Sequence, residues 1–343
     1  MTAEPGPLSL TAAPALVIGE AIVDVLTGAD GVRRSRPGGS PANVALGLAR
    51  LGHPVRLATR IGRDGPGRAL HAHLRDSGVV LTPGSFTDDA TSTATARLDA
   101  AGGAHYSFDV TWDLPPGALG GLGGPAPAHV HTGSIATALA PGADRVFAAA
   151  RAARAVATLS YDPNVRPALL AGADRERPRV ERLVALSDVV KASEEDLSWL
   201  CPGRSPDETA RRWLAGTGAA DGPALVVVTM AGAGARVFWP GGRCEVPATA
   251  VEVTDTVGAG DAFMAGLLSG LLHTELLARA GPSAAPDAAR ARRALREATA
   301  SARLDPRVGS ALALAGRAAA LNCMREGADP PTRSEIDRWA AGR

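Results

Sequence analysis

The segment that decides the fold is DTVGAGDAFMAG, residues 255–266, in which small residues lead into a long apolar run that predicts a helix. The first turn of a helix has N–H groups without intrahelical partners and carries the positive end of the helix dipole, so it attracts phosphate. Gly258, Ala259 and Gly260 leave those N–H groups open to an anion, and Asp261 places a carboxylate beside it. A base within reach of a substrate hydroxyl contributes roughly 10²–10⁴ in rate. The segment therefore predicts an anion cradle with a general base.

The alternative interpretation of this segment is a glycine-rich turn in which Asp261 only complements the helix dipole. Other phosphate-binding signatures are absent from the sequence. Lys191 is the only lysine and follows Val190, which excludes a Walker A loop, and no GxGxxG occurs. Phosphate chemistry must then use another scaffold, and residues 255–266 are the main candidate for it.

Composition restricts the classes of partner and compartment. The 343 residues are 45% hydrophobic and 3% aromatic with a net charge of +1, so they predict a buried core and no nucleic-acid partner. Three cysteines without a CxxC pair indicate a reducing compartment. Neither a signal peptide nor an apolar run long enough to span a membrane is recognisable, so we expect a cytoplasmic protein with no membrane partner.

The order of predicted elements is β-α-β-α-β over residues 15–82 and again from residue 129, which favours an α/β fold with a parallel sheet. Alternating segments at 91–99 and 105–109, joined by Ala101–Gly103, predict an antiparallel hairpin that serves as a lid. Residues 115–127 predict a linker, and 33–39 a polar loop. After residue 260 the chain is predicted to be helical.

A second loop-to-helix junction lies at PGGSPAN, residues 37–43. Gly38 and Gly39 allow a polar ligand to approach backbone N–H groups, and Asn43 offers a donor and an acceptor together. Asp24, in otherwise apolar surroundings, adds an acceptor for two neighbouring hydroxyls. These features suit a sugar, and the alternative is a turn with Asn43 on an ordinary helix face.

Together these segments resemble the ribokinase-like (PfkB-type) carbohydrate kinases, with motifs closest to bacterial fructokinases. GGSPANVA resembles the first signature of the family and DTVGAGDAFMAG the second, and the resemblance extends from about Ala15 to Ile336. It implies one domain over residues 1–343 with a three-layer α/β/α core, a mostly parallel central sheet and a small β-strand lid. The lid would come from about 24–37 and 91–112, and the nucleotide-binding part from about 158–343.

The resemblance also implies roles for individual residues. Asp261 corresponds to the general base of the family, and the backbone of Gly258, Ala259 and Gly260 to its anion hole. The sugar would be held by Asp24, Gly38, Gly39, Asn43 and Arg166 and covered by the hairpin around Tyr106. The nucleotide and its ions would involve Asn164, Lys191, Glu194 (Mg²⁺ through water), Thr229, Gly232, Gly234, Gly260, Asn322, and, for a monovalent cation such as K⁺, Asp255 and Val257.

Two further interpretations concern basic residues. Lys191, alone after a strand and beside acidic residues, is placed for a nucleotide phosphate, the alternative being a surface lysine. His129 and His131 form an HxH pair on one strand face, which can bind metal. We favour ordinary strand histidines, since no third ligand is suggested nearby.

The predicted function is an ATP- and Mg²⁺-dependent sugar kinase that converts fructose to fructose 6-phosphate. Alternatives in the same class are 2-keto-3-deoxygluconate, where Arg166 and Arg97 would face the acid, ribose or a nucleoside. An alternative of another class is a sugar- or nucleotide-binding regulator without turnover, against which the intact Asp261 and glycines argue. Lid strands of the family often pair between subunits, so the resemblance also implies a homodimer, while the sequence leaves the oligomeric state and the need for K⁺ open.

Overall fold

The computed structural model describes residues 14–27, 33–98, 104–114, 126–216, 222–279 and 287–342, and the following statements concern those residues. The chain forms one large sheet, one small sheet and a two-residue strand pair, with helices on both faces of the large sheet. The strands are β1 (Ala15–Ile18), β2 (Ile22–Thr27), β3 (Arg33–Gly38), β4 (Val55–Ala58), β5 (Ile61–Gly62), β6 (Val79–Leu81), β7 (Phe86–Thr87), β8 (Thr93–Leu98), β9 (Ala104–Asp109), β10 (His129–Gly133), β11 (Thr158–Asp162), β12 (Val189–Ser193), β13 (Leu225–Thr229), β14 (Ala235–Trp239) and β15 (Gly242–Val246).

The described helices alternate with the strands in the first two thirds of the chain and follow one another after residue 258. They are α1 (Ser40–Arg50), α2 (Gly65–Asp76), α3 (Gly142–Ala153), α4 (Ala173–Leu186), α5 (Glu194–Leu200), α6 (Pro206–Ala215), α7 (Ala259–His273), α8 (Ala288–Ala298), α9 (Pro306–Cys323) and α10 (Arg333–Ala341). Short 3₁₀ turns follow β10, β11 and β13. No described helix combines the length and the apolar character needed to cross a membrane.

The large sheet has the strand order β15-β14-β13-β12-β11-β10-β1-β4-β6, and the seven strands from β13 to β6 are parallel. β14 and β15 add an antiparallel edge. Side chains of the parallel strands are buried on both faces, since Val17 and Val189 belong to one core cluster and Leu16 and Val190 to the other. This arrangement confirms the predicted three-layer α/β/α core, and it brings the carboxyl ends of the parallel strands to one edge.

The small sheet, by which we mean β3-β2-β8-β9, projects from that edge. β2 pairs antiparallel with β3 and parallel with β8, and β8 pairs antiparallel with β9. The chain enters this sheet directly from β1 through Gly19, Glu20 and Ala21. The sheet therefore stands over the carboxyl edge of the central strands.

Several element boundaries differ from the sequence-based expectation. Residues 33–38 form a strand rather than a polar loop, because they pair with β2 at the edge of the small sheet, where the side chains of Arg33, Arg34 and Ser35 remain exposed. Helix α5 was not predicted, and its start is defined by a capping box between Ser193 and Asp196. The proposed turn at Ala101–Gly103 and most of the proposed linker, residues 115–125, lie outside the described residues.

Helix α7 is held between α1 and α9. Every residue from Asp261 to Leu272 is buried, which explains why this helix shows no polar face in the sequence. An added Cβ at Gly47 of α1 would lie 2.6 Å from the Cβ of Ala265, and one at Gly270 would lie 2.5 Å from the Cα of Ala311. Glycine at these crossings lets the three helices approach closely, and the packing fixes the N-terminus of α7 at the carboxyl edge of the sheet.

Candidate active site

The carboxylate of Asp261 lies in the first turn of α7 and is buried, with 7% of the residue exposed. Its Oδ1 accepts a hydrogen bond from Ser40 Oγ at 2.7 Å, and its Oδ2 accepts one from Asn43 Nδ2 at 2.8 Å. Asn164 Nδ2 lies 3.5 Å from Oδ1. Burial raises the pKa of Asp261, whereas the bonds from Asn43 and Ser40 and the charges of Lys191 and Arg166 oppose that rise. A carboxylate in this setting is a stronger base than one in water.

The backbone in front of Asp261 has the geometry of an anion cradle. Gly258 is the N-cap of α7 in a left-handed conformation, with φ 75°, and an added Cβ would lie 2.6 Å from the Cβ of Ala328. Ala259 N–H donates to Thr256 O at 3.1 Å, so the turn itself uses one of the three predicted donors. Among the described residues the N–H groups of Gly258 and Gly260 have no acceptor, and they remain available to an anion.

Lys191 lies behind the cradle. Its Nζ is 2.9 Å from Asp162 Oδ2 in an ion pair whose side chains are 4% and 1% exposed, so Lys191 is not a surface lysine. A Cβ added at Gly260 would lie 3.4 Å from Nζ, which places the ammonium against the first turn of α7. Burial favours a lower pKa for Lys191, but the carboxylates of Asp162, Asp196 and Asp261 together raise it, and the side chain is therefore charged at neutral pH.

Asp162 and Asp196 are two acidic residues of the site that the sequence did not single out. Burial raises the pKa of Asp162 to about 6, against the opposing charge of Lys191, and neither of its oxygens has a well-aligned hydrogen-bond donor among the described residues. Asp196 accepts N–H bonds from Val165 at 2.7 Å and Ser193 at 2.8 Å. It thus holds the loop after β11 against the start of α5. Asp162 lies within YDPNVRP, residues 161–167, the segment that also contains the predicted site residues Asn164 and Arg166.

Glu194 is the first residue of α5, its side chain is 47% exposed, and it lies 3.7 Å from Arg236 in an ion pair. Its proposed contact with Mg²⁺ through water stays a prediction. The buried carboxylate of the same segment whose charge acts on Lys191 is Asp196.

The loop after β11 carries Asn164 and Arg166. Asn164 has a left-handed backbone, with φ 36°, and its Oδ1 accepts a 2.6 Å hydrogen bond from Arg166 Nη1. Arg166 is exposed, and its charge opposes the rise that burial causes in the pKa of Asp24, of Glu20 and of Asp261. The charge of Arg166 thus acts on three acidic groups of this region.

On the small sheet, Asp24 and Gly38 are adjacent, since a Cβ added at Gly38 would overlap Asp24 Oδ2 at 2.1 Å. Burial raises the pKa of Asp24 to about 6, with Arg166 opposing and Asp261 adding to the rise. Gly39, with φ 99°, packs against the carbonyl of Glu20 and caps α1.

Asn43 differs from expectation in that its amide N–H₂ donates to Asp261. Tyr106 lies opposite Ala96 in β9, and both side chains are outside the described part, as is that of Arg97.

The predicted nucleotide residues are spread along the β13 end of the edge. Thr229 ends β13 and donates to Ala192 O at 3.4 Å. A Cβ added at Gly232 would enter open space, so sterics do not require glycine there, whereas one at Gly234, with φ 98°, would overlap Val246 O at 2.1 Å. Asn322 is fully buried and donates to Val257 O at 2.8 Å, while its Oδ1 has no partner among the described residues. Asn322 therefore supports the loop before the cradle.

The proposed monovalent-cation residues are already engaged within the protein. Asp255 Oδ1 accepts the N–H of Val257 at 3.0 Å, and its Oδ2 accepts the N–H of Gly327 at 2.8 Å. The described residues contain no cluster of three or more His, Cys, Asp or Glu side chains arranged for a metal. His129 and His131 instead bond to Ser160, each at 2.9 Å, and burial lowers the pKa of both to about 3.

The chain is similar in sequence and in fold to known carbohydrate kinases. Residues 16–304 match the family described as pfkB family carbohydrate kinase. The chain is 36% identical over 266 residues to a fructokinase of Klebsiella pneumoniae, covering 74% of this chain and 83% of that protein. A double-mutant fructokinase of Vibrio cholerae O395, solved with fructose, ADP and potassium ion, superposes with a TM-score of 0.73 at 28% identity, covering 95% of this chain and 97% of that one. A fructokinase of Xylella fastidiosa with bound ATP superposes with a TM-score of 0.74 at 26% identity, covering 96% of this chain and 98% of that one.

Proposed function

The chain belongs to the pfkB family of carbohydrate kinases, and from this premise we propose that the sugar it phosphorylates is fructose, at the 6-hydroxyl. Family membership makes the protein an ATP-binding phosphotransferase that acts on a sugar hydroxyl. The observation that carries the proposal is the position of Asp261, a buried carboxylate next to the open N–H groups of Gly258 and Gly260. Asp261 also accepts hydrogen bonds from Ser40 and Asn43 of α1, which we call the sugar-side helix. Fructose itself is supported by the fructokinase relatives.

In the proposed reaction Asp261 takes the proton of the sugar hydroxyl while the oxygen of that hydroxyl forms a bond to the γ-phosphorus of ATP. The bond between that phosphorus and the leaving oxygen breaks, and ADP is released. The N–H groups of Gly258 and Gly260 stabilise the charge on the transferring phosphoryl group, and one such donor is worth about 2.7–4 kcal/mol. Lys191, 2.9 Å from Asp162 and next to Gly260, adds a fixed positive charge behind the cradle.

The residues present also fit a magnesium–nucleotide complex. Mg²⁺ in kinases is bound through one or two carboxylates together with the substrate phosphates, and it neutralises phosphate charge. Asp162 is buried, has no well-aligned hydrogen-bond donor among the described residues and pairs with Lys191, which lies against Gly260, so its oxygens would be available to the metal. The charge of the neighbouring Asp196 acts on Asp162. Thr229 and Gly234 would lie along the nucleotide. A K⁺ at Asp255 and Val257 would share oxygens that already accept hydrogen bonds.

For the sugar we propose Asp24 as the acceptor for two hydroxyls, with the backbone of Gly38 and Gly39 and the guanidinium of Arg166 as further contacts. Gly38 leaves room for the Asp24 carboxylate itself. The small sheet, with Tyr106 in β9, covers the sugar and excludes water, which would otherwise accept the phosphoryl group. An acidic sugar such as 2-keto-3-deoxygluconate is the second candidate, because the exposed guanidinium of Arg166 is available to a carboxylate.

The test is ADP formation from ATP with a sugar panel containing fructose, ribose, 2-keto-3-deoxygluconate and a nucleoside. We expect the highest kcat/KM with fructose. Asp261→Asn should lower kcat by about 10²–10⁴ while fructose still binds, because only the proton acceptor is lost. Asp76→Asn, on the surface of α2, is the matched control and should leave kcat unchanged.

Two results would contradict the proposal. A higher kcat/KM with 2-keto-3-deoxygluconate than with fructose would replace the substrate. Sugar binding without ADP formation for every sugar would instead indicate a binding protein that has lost turnover.

A further inference from the structure

Arg36 lies directly across the small sheet from the proposed sugar ligand Asp24. The antiparallel register of β2 and β3 makes these two residues partners, and Gly38 follows on the same face of β3. A Cβ at Gly38 would overlap Asp24 Oδ2, so Asp24, Arg36 and Gly38 share one face of the small sheet. The charges of Arg166 and Asp261 act on Asp24, which places this face toward the site. The base of the Arg36 side chain is therefore part of the sugar-side surface.

The guanidinium of Arg36 reaches a different part of the molecule. Its Nη2 is 2.5 Å from Glu326 Oε2, and its Nη1 is 4.0 Å from Asp255 Oδ2. A Cβ added at Gly327 would lie 3.0 Å from Nη1, so the guanidinium also packs against the backbone there. Glu326 and Gly327 belong to the loop after α9, and Glu326 is 290 positions away in sequence from Arg36.

That loop also supports the cradle. Asp255 accepts the N–H groups of both Gly327 and Val257, which ties the loop after α9 to the segment leading into α7. Ala328 packs against Gly258, within 2.6 Å of where its Cβ would be. One arginine thus connects the small sheet to two segments that determine where the N–H groups of the cradle point.

We propose that Arg36 is a positioning residue that couples sugar binding under the small sheet to nucleotide binding at the cradle. This inference rests on the proposed function, since it takes Asp24 as a sugar ligand and Gly258 to Gly260 as the phosphate site. With sugar bound, the small sheet is held down and Arg36 keeps its contacts with Glu326 and Asp255. Those contacts stabilise the cradle loop, so each ligand raises the affinity for the other.

The size of the coupling follows from exposure. The side chains of Arg36 and Glu326 are 41% and 71% exposed, and an exposed ion pair contributes only a small free energy. We therefore expect the Arg36–Glu326 pair to account for a coupling of about two- to fivefold in dissociation constant. If the pair served only folding, its loss would change thermal stability but not the ratio of the ADP dissociation constants measured without and with fructose.

The experiment measures the dissociation constant of ADP without and with saturating fructose in wild type, Arg36→Met, Glu326→Gln and the double variant. Arg33→Met, exposed on the opposite face of the same strand, is the matched control. We expect the fructose-induced gain in ADP affinity to fall about two- to fivefold in either single variant and no further in the double variant. Arg36→Lys should recover part of the gain, and Arg33→Met should behave as wild type.

Amide hydrogen exchange of the ligand-free proteins provides a second readout. Arg36→Met should exchange faster than Arg33→Met at residues 22–27 and 254–258 together, because both segments lose their shared contact. The inference would be overturned if fructose raised the ADP affinity of Arg36→Met as much as that of wild type. It would also be overturned if the losses of this gain in the two single variants multiplied in the double variant. The turnover of the wild-type protein tests the proposed function separately. If another sugar is the substrate, the same four proteins are compared with that sugar.

Discussion

Asp261 depends on two side chains of another helix for its position and its charge. Ser40 and Asn43, both in the first turn of α1, donate one hydrogen bond to each carboxylate oxygen. Such bonds favour the ionised form, whereas burial favours the protonated form. The sugar-side helix therefore sets how strong a base Asp261 is, and this interaction links the two signature segments at the level of single atoms.

Replacing Ser40 by alanine should move the pH profile of the enzyme. Loss of the 2.7 Å bond removes a stabilising contact from the ionised Asp261, so its pKa rises and the acidic limb of kcat/KM moves to higher pH by about one unit. Above that limb kcat should fall by less than about tenfold, because Asn43 still holds Oδ2. The measurement is a pH–rate profile from pH 5 to 9.

Ser198→Ala is the control, since among the described residues the hydroxyl of this serine bonds within α5, to Glu194 O. It should leave the profile as in wild type. An acidic limb that stays in place in Ser40→Ala would mean that Ser40 does not stabilise the charged form of Asp261.

At the scale of elements, the close packing of α7 against α9 orients the cradle. Gly266 and Gly270 are one helical turn apart on the face toward α9, and added Cβ atoms there would lie 2.7 and 2.5 Å from the Cα atoms of Ala315 and Ala311. Because those contacts are with backbone atoms, a larger residue cannot be accommodated by a side-chain rotation. A change in the distance between α7 and α9 would therefore also move the first turn of α7.

Gly270→Ala should destabilise the protein by about 1–3 kcal/mol, since the added methyl forces the two helices apart. Gly309→Ala is a matched change within α9, where the Cβ position is open, and helix propensity predicts stabilisation of about 0.5–1 kcal/mol. Urea unfolding of both variants provides the comparison. Equal stability of the two would show that the α7–α9 spacing tolerates a methyl group.

At the scale of the whole molecule, Glu20 lies where the chain passes from the central sheet to the small sheet. It is buried, with 4% of the residue exposed, and its Oε2 accepts the N–H of Ala136 at 3.2 Å. Burial raises the pKa of Glu20 from 4.5 to about 7, and hydrogen bonds, including one from Ser134, oppose that rise. The junction between the two sheets therefore contains a carboxyl group that is partly protonated near neutral pH.

This raised pKa predicts how stability depends on pH. Between about pH 4.5 and 7 the folded state keeps a proton that the unfolded state has lost, so the contribution of Glu20 to stability is present at low pH and is lost as pH rises. Glu20→Gln does not titrate. The stability of this variant relative to wild type should therefore rise by about 3 kcal/mol from pH 4.5 to pH 8.

Urea unfolding at both pH values measures the difference, and Glu245→Gln, an exposed glutamate with its side chain 74% accessible, is the control. Asp24 and Asp162 also have raised pKa values, but they titrate alike in variant and wild type and cancel. A stability difference that does not change with pH would show that Glu20 is ionised in the folded protein.

The sequence by itself determined the features that are written in contiguous residues. The βα order, the two glycine-containing helix starts and Asp261 as the base candidate follow from local periodicity and from the backbone chemistry of helix N-termini. Buried parallel strands produce continuous apolar segments, which is why the parallel sheet was predictable, whereas the three-layer arrangement was implied by the family resemblance. These properties depend on neighbours along the chain.

Only the tertiary structure decided which distant residues meet. Strand β3 forms because β2 supplies its hydrogen bonds, and its own polar sequence resembles a loop. Ser40 bonds to Asp261 across 221 positions, Asp162 pairs with the buried Lys191, and Glu194 pairs with Arg236. Asn322 and Arg36 support the cradle through contacts that have no local pattern. Such partnerships arise from how helices and sheets pack, and sequence periodicity specifies only which face of an element is buried.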